Sequence, residues 1–175
     1  AGGEYSDGCV SVDLGAIGKG FALDKMIEIF EHWEIDNALV HGGTSTVRVI
    51  GSPGPEGWPI AIGGPWAEEA GIERVLMTSG ALSGSGTQAR GEHIVDPRTG
   101  GPADGPLAAW VICHTGAVAD ALSTALMVMS IEEAESYCKD HEDITVLLVV
   151  PDETAPEGGR ILVLGAKRRD NFEIF

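Results

Sequence analysis

Two short runs of this sequence carry residue types that could hold a divalent metal and a phosphate side by side. In Val12-Asp13-Leu14-Gly15-Ala16-Ile17-Gly18-Lys19-Gly20 a short strand breaks into a Gly-rich turn bearing one carboxylate and one ammonium. Gly15, Gly18 and Gly20 let the backbone come close to a ligand, and a helix opening just after them offers free N–H groups to an anion. Lys19 adds a cation. The glycine spacing is too short for a Walker A loop, Gly20 stands where Ser or Thr is required, and the run is not a G-x-G-x-x-G fingerprint either. Taken alone, it reads first as a strand-to-helix turn whose glycines permit tight packing, with Asp13 capping the turn.

The second run is Ala119-Asp120-Ala121-Leu122-Ser123-Thr124-Ala125. Asp120, Ser123 and Thr124 stand at i, i+3 and i+4 and share one helical face. A carboxylate with two hydroxyls is a hard-oxygen set, suited to Mg²⁺ or Ca²⁺ and not to zinc. The structural alternative is that Thr124 bonds back to the Asp120 carbonyl while Asp120 favours the helix N-terminus. Either way, a carboxylate in a helix of Ala, Leu, Val and Met needs a partner.

A third segment, His93-Ile94-Val95-Asp96-Pro97-Arg98-Thr99-Gly100, puts a histidine on a strand just before a tight turn. Asp96, Pro97 and Gly100 are ordinary turn chemistry. His93 has the titration range of a general base near neutral pH, although a lone strand histidine is more often a satisfied structural group.

The elements that must position these groups follow from periodicity. Phe21 to Trp33 has helical spacing at Phe21, Ala22, Met26, Ile29, Phe30 and Trp33. Ala117 to Met129 reads as a second helix and Ile131 to Lys139 as a third, with Ser130 as N-cap and Glu133 three residues on. Strands are expected at Val10 to Leu14, Asn37 to Val40, Arg74 to Thr78, Glu92 to Val95, Leu107 to His114, Ile144 to Val150 and Arg160 to Leu164. Val47 to Ile50 and Trp58 to Ile62 read as a hairpin around Gly51 to Gly57, and Gly80 to Gly91 as a small-residue loop. The alternation of sheet and helix gives an α/β (α+β) class with helices packed on one mixed sheet.

With 175 residues the chain has room for one domain. A net charge of −16 argues against a nucleic-acid partner or an anionic membrane surface, since both need basic patches. An acidic protein that takes a phosphorylated ligand must screen its own field locally, which a metal ion and a few placed cations would do. Cys9, Cys113 and Cys138 form neither a disulfide framework nor a zinc motif, and read as free or buried thiols. The longest apolar stretch, Ile144 to Val150, is too short to span a membrane, and the first residues lack the pattern of a signal peptide.

In this order and at these separations the motifs resemble the ApbE family. The resemblance rests on the turn Asp13 to Gly20, Gly42-Gly43 after a strand, Thr78-Ser79-Gly80, His93 to Gly100, and Ala119 to Ala125. It runs from Val12 to Met129, and Ile144 to Leu164 suits the family's closing strands. It implies a single T-fold-like domain over residues 1–175 that lacks the family's N-terminal portion. The implied activity is Mg²⁺-dependent transfer of FMN from FAD to a threonine hydroxyl of an acceptor flavoprotein, with AMP leaving. By motif position Asp13, Lys19 and Ile94 would contact FAD. The Ala16 carbonyl, Asp120 and Thr124 would hold the metal, with Ser123 beside them, and His93 would deprotonate the acceptor threonine. The family setting implied is the bacterial periplasm or a membrane-anchored lipoprotein.

The chain departs from the family pattern in three respects. It starts only a few residues before the first motif, so an upstream portion is expected. Thr44 follows Gly42-Gly43 where an acidic residue is usual, with His41 before it. After Thr78-Ser79-Gly80 the usual aromatic and basic residues give way to Ala81-Leu82-Ser83-Gly84-Ser85-Gly86. Two alternatives therefore stay open: a metal-dependent FAD pyrophosphatase releasing FMN and AMP, and a non-catalytic flavin-binding or scaffold domain.

Overall fold

The buried face of the first helix is set by a backbone crossing. The computed structural model describes residues 12–63, 65–72, 74–86 and 94–175. Helix α1 (Gly18–His32) buries Gly20, Leu23 and Ile27. A Cβ on Gly20 would lie 1.9 Å from the carbonyl oxygen of Gly116, and one on Gly116 would lie 2.6 Å from that of Gly20. No other residue fits at either position without parting the two backbones. The crossing chooses the packed face, and the apolar residues Phe21, Met26, Ile29 and Trp33 are left exposed. Gly20→Ala is therefore expected to destabilise the fold by about 3 kcal/mol or more, the upper range for overpacking. A urea titration of both proteins checks it, and an unchanged midpoint would show that the helices can separate freely.

Strands β1 (Ala38–Gly42) and β2 (Thr46–Ile50) form an antiparallel hairpin. Next come β3 (Trp58–Ala61), the short helix α2 (Pro65–Glu69), β4 (Arg74–Met77) and β5 (Ser79–Gly86). Strand β6 (Ala108–Cys113) leads to α3 (Gly116–Leu126) and α4 (Ile131–Asp140). The chain continues through β7 (Thr145–Pro151), β8 (Gly159–Leu164), β9 (Arg168–Arg169) and β10 (Phe172–Ile174). Ser130 caps α4 in a full capping box with Glu133, as its sequence spacing predicts.

Helices are packed against sheet, as expected for the α+β class, but the sheet is divided. One sheet has the order β1-β2-β5-β6-β7-β8 and the other β3-β4-β10-β9. Every strand pairing among the described residues is antiparallel. The larger sheet lies between helices α3 and α4 on one side and the smaller sheet on the other. On its helix side Ala81, Val111, Val146 and Leu148 pack with Ala119, Leu122 and Leu126. On its other side Val49, Leu82, Ile112 and Leu147 pack with Val75, Met77 and Phe172. Burial on both faces explains the continuous apolar run of β7, which alternation alone would not produce.

Two local readings are corrected. Trp58 to Ile62 does not pair with Val47 to Ile50: β2 pairs with β1 and β5, while β3 pairs with β4 in the smaller sheet. Gly80 to Gly86 is no loop but most of β5, an interior strand hydrogen-bonded to β2 and β6. Its small residues answer to crowding. A Cβ on Gly84 would lie 2.6 Å from Cδ1 of Trp110, the residue opposite it on β6. Of the strand expected at Val10 to Leu14, residues 12–14 belong to no strand, and residues 10–11 lie outside the described residues. Likewise residues 92–93 lie outside them, and Val95 makes a single bridge to Pro102.

Candidate active site

Helices α1 and α3 cap one another. The N-cap of α1, Ile17, supplies no side-chain bond, so the first amides of that helix need outside acceptors. Gly20 N–H donates to Asp120 Oδ2 at 3.0 Å, from the neighbouring helix. In return Asp24 on α1 accepts from Gly116 N–H at 2.7 Å and Ala117 N–H at 2.9 Å, the first amides of α3. Arg48 on β2 donates to Asp24 at 3.0 Å and to the Gly80 carbonyl at 2.8 Å, which ties both helices to the sheet. Asp24 and Arg48 carry no motif signature. Only the structure reveals their part in holding α1 and α3 in register.

Asp120 is 2 % exposed. Its Oδ1 accepts from Lys19 Nζ at 2.9 Å, Thr46 Oγ1 at 3.2 Å and Ser83 Oγ at 3.3 Å. Thr46 and Ser83 face each other across β2 and β5, and their hydroxyls bond at 2.9 Å. The buried carboxylate thus has one ammonium, one helix N-terminal amide and two hydroxyls around it, the compensation such a charge requires.

Ser123 and Thr124 both donate back to the Asp120 carbonyl, at 2.9 and 3.3 Å. The expected back-bonding of Thr124 is therefore present. Both hydroxyls also reach Ser85 Oγ, at 3.0 and 3.1 Å. Ser123 is fully buried, while Thr124 lines an open cleft. That cleft has a volume of about 530 Å³, within the range of small-molecule sites. Gly15, Lys19, Gly42, Gly43, Ser85 and Ile94 contribute to its wall. Ala16 lies exposed in the adjoining turn, which Asp13 pins by accepting from Gly15 N–H at 2.8 Å. His93 lies outside the described residues.

The hydroxyls of Thr46, Ser83 and Ser85 were not among the residues singled out from the sequence. A signal existed for two of them. Ser83 and Ser85 alternate with Gly84 and Gly86, and in a strand that period puts both hydroxyls on one face.

The donor chemistry suits a hard cation. Among the described residues no cluster of three or more His, Cys, Asp or Glu side chains could hold a metal. A cation here would rest on one carboxylate with neutral oxygens, a set compatible with Mg²⁺ or Ca²⁺ and wrong for a soft metal. The described thiols are buried and not activated. Burial pushes the Cys113 thiol up to about 11 and also raises that of Cys138, so neither is a thiolate at neutral pH. Asp96 is engaged within its own turn: hydrogen bonds from the Arg98 side chain and backbone hold its carboxyl below the ordinary range.

The sequence model of the ApbE family matches residues 4–148, a span that includes the turn at Asp13, the cleft and the Asp120 helix. The chain belongs to the ApbE family. Among curated relatives, the FAD:protein FMN transferase of Escherichia coli strain K12 is 31% identical over 152 residues, covering 81% of this chain and 43% of that protein. The Rhodobacter capsulatus FAD:protein FMN transferase is 35% identical over 137 residues, 73% of this chain and 26% of its own. Among solved structures, the ApbE protein of Thermotoga maritima superimposes with a TM-score of 0.71 at 32% identity, over 89% of this chain and 52% of that one. The Vibrio cholerae flavin transferase ApbE gives 0.71 at 28% identity, over 87% and 50%. This chain spans about half the length of these solved ApbE proteins and less of the curated relatives. No helix among the described residues is long and apolar enough to cross a membrane.

Proposed function

We propose that this chain carries the metal and diphosphate site of an FAD:protein FMN transferase. The reaction is transfer of FMN from FAD to a threonine hydroxyl of an acceptor protein, with release of AMP. One observation carries the reading: α1, α3, β2 and β5 bring Lys19, Asp120, Thr46, Ser83, Ser85 and Thr124 together beside one open cleft. A packed helix pair alone needs no such cluster of polar side chains at a cleft.

Mg²⁺, held by Asp120, Thr124 and the Ala16 carbonyl, would neutralise charge on the diphosphate during transfer. Ser123 and Ser85 hold Thr124 and the Asp120 carbonyl in place from behind. Lys19 and the Gly-rich turn present a cation and backbone N–H groups to the anionic ligand, and Asp13 keeps that turn in shape. Ile94 offers an apolar wall. His93 is assigned as the base that takes the proton of the acceptor hydroxyl.

Incubation of the protein with FAD, Mg²⁺ and an acceptor domain tests the reading. Covalent FMN on the acceptor threonine, with AMP in solution, is the expected result. Free FMN and AMP without acceptor labelling would make the protein a pyrophosphatase. Intact FAD with measurable flavin binding would make it a flavin-binding domain.

A further inference from the structure

We infer that Lys19 is an internal stand-in for the metal: its ammonium occupies Asp120 in the metal-free protein and is displaced into the cleft when a divalent cation binds. The inference rests on the reading of Asp120 as a metal ligand. Lys19 Nζ sits 2.9 Å from Asp120 Oδ1, and the two side chains are 36% and 3% exposed. One partner is therefore locked and the other half free. Among the described residues the only other acceptor bonded by the ammonium is the Gly15 carbonyl, at 3.5 Å.

The three groups donating to Oδ1 differ in what they can do when a cation arrives. Thr46 and Ser83 carry hydroxyls, which are acceptors as well as donors, and they can turn to each other across 2.9 Å. An ammonium can only donate, and it repels a dication. Lys19 must therefore leave. The helix cannot carry it away, because Gly20 is wedged against Gly116 and its N–H is bound to Asp120 Oδ2. The flexible side chain moves instead, and it already lines the cleft. Displacement puts a positive charge into the space meant for the diphosphate at the moment the metal is seated. Metal binding then precedes and favours binding of the dinucleotide.

The test is calorimetric titration of Mg²⁺ alone, without FAD, into the wild type, Lys19→Met, Lys19→Arg and Asp120→Asn, with thermal melts in the presence and absence of Mg²⁺. Lys19→Met is expected to bind Mg²⁺ at least tenfold more tightly than the wild type. Its melting midpoint should fall without metal and recover with it, while the wild-type midpoint moves less. Lys19→Arg keeps the resident cation and should bind as weakly as the wild type. If Lys19→Met is unfolded without metal, refolding in millimolar Mg²⁺ supports the inference, and failure to refold overturns it. Equal or weaker binding by Lys19→Met, with binding abolished in Asp120→Asn, would overturn the inference and leave the metal site standing. Binding that survives in Asp120→Asn, or no binding by any of the proteins, would remove both.

Discussion

Asp120→Ala is expected to lower Mg²⁺-dependent FAD turnover by roughly a thousandfold or more, about 4 kcal/mol of lost charge stabilisation at the diphosphate. Asp120 is the only carboxylate among the residues assigned to the metal, and the remaining donors, Thr124 and the Ala16 carbonyl, are neutral. The substitution also strands the Gly20 amide and takes the ion pair from Lys19, while Thr46 and Ser83 keep their bond to each other. A stability loss of about 1–3 kcal/mol per buried group left without a partner follows. Asp120→Asn separates the two effects, because it retains the shape and some hydrogen bonding while removing the charge. Both variants should be assayed for AMP release from FAD at a temperature where circular dichroism shows them folded. If folded Asp120→Asn turned over FAD at the wild-type rate, Asp120 would serve only to cap α1.

The structural role of Asp120 does not compete with the chemical role proposed for it. Its carboxylate satisfies the N-terminus of α1, as Asp24 satisfies that of α3. The exchange fixes the distance between the Gly-rich turn, which precedes α1, and the Ser123–Thr124 face of α3. A metal site split between two elements needs that fixed distance. The structural bond therefore supports the chemical use of the same residue.

The two halves of the candidate site were legible in the sequence because each carries a charged residue among small or apolar ones. Asp120 in an apolar helix demanded a partner, and Lys19 is that partner, 101 residues away. The hydroxyl floor was not legible. Thr46, Ser83 and Ser85 are ordinary polar residues until the register of β2, β5 and β6 turns them toward α3. Strand β5 itself was hidden by its composition, since Ser79-Gly80-Ala81-Leu82-Ser83-Gly84-Ser85-Gly86 lacks the β-branched and aromatic residues that mark strands. Its place between α3 and Trp110 leaves no room for larger side chains, so tertiary crowding overrides local propensity. The buried stripe of α1 was hidden for a related reason. Hydrophobicity points to Phe21, Met26 and Trp33, but the glycine crossing admits only the face with Leu23 and Ile27. The division into two sheets was also beyond local reading, because β4 closes its sheet with β10, nearly a hundred residues later.

His93→Ala is expected to separate transfer from binding. Asp13, Lys19, Thr124 and Ile94 stay in place in this variant, so FAD and Mg²⁺ should bind as in the wild type. Transfer to a threonine acceptor should fall by roughly a hundredfold or more, the usual worth of a positioned general base. The hydroxyl of threonine is a weak nucleophile at neutral pH and needs a group to take its proton as the phosphoester forms. No other group at the described site can do this. The Lys19 ammonium has no lone pair to accept a proton, the Asp120 carboxylate is taken up by the metal in the proposed site, and Asp96 is bound by Arg98. The sign of the pH dependence follows from the role: only neutral imidazole accepts a proton, so the wild-type rate should rise with pH as the imidazole loses its proton. In His93→Ala that rise should disappear while the slower residual rate remains. Single-turnover transfer at saturating FAD and Mg²⁺, measured for both proteins between pH 5 and 8, decides the matter. Equal rates, or a pH profile unchanged by the substitution, would remove His93 from the chemistry and leave proton removal to the acceptor protein or to water.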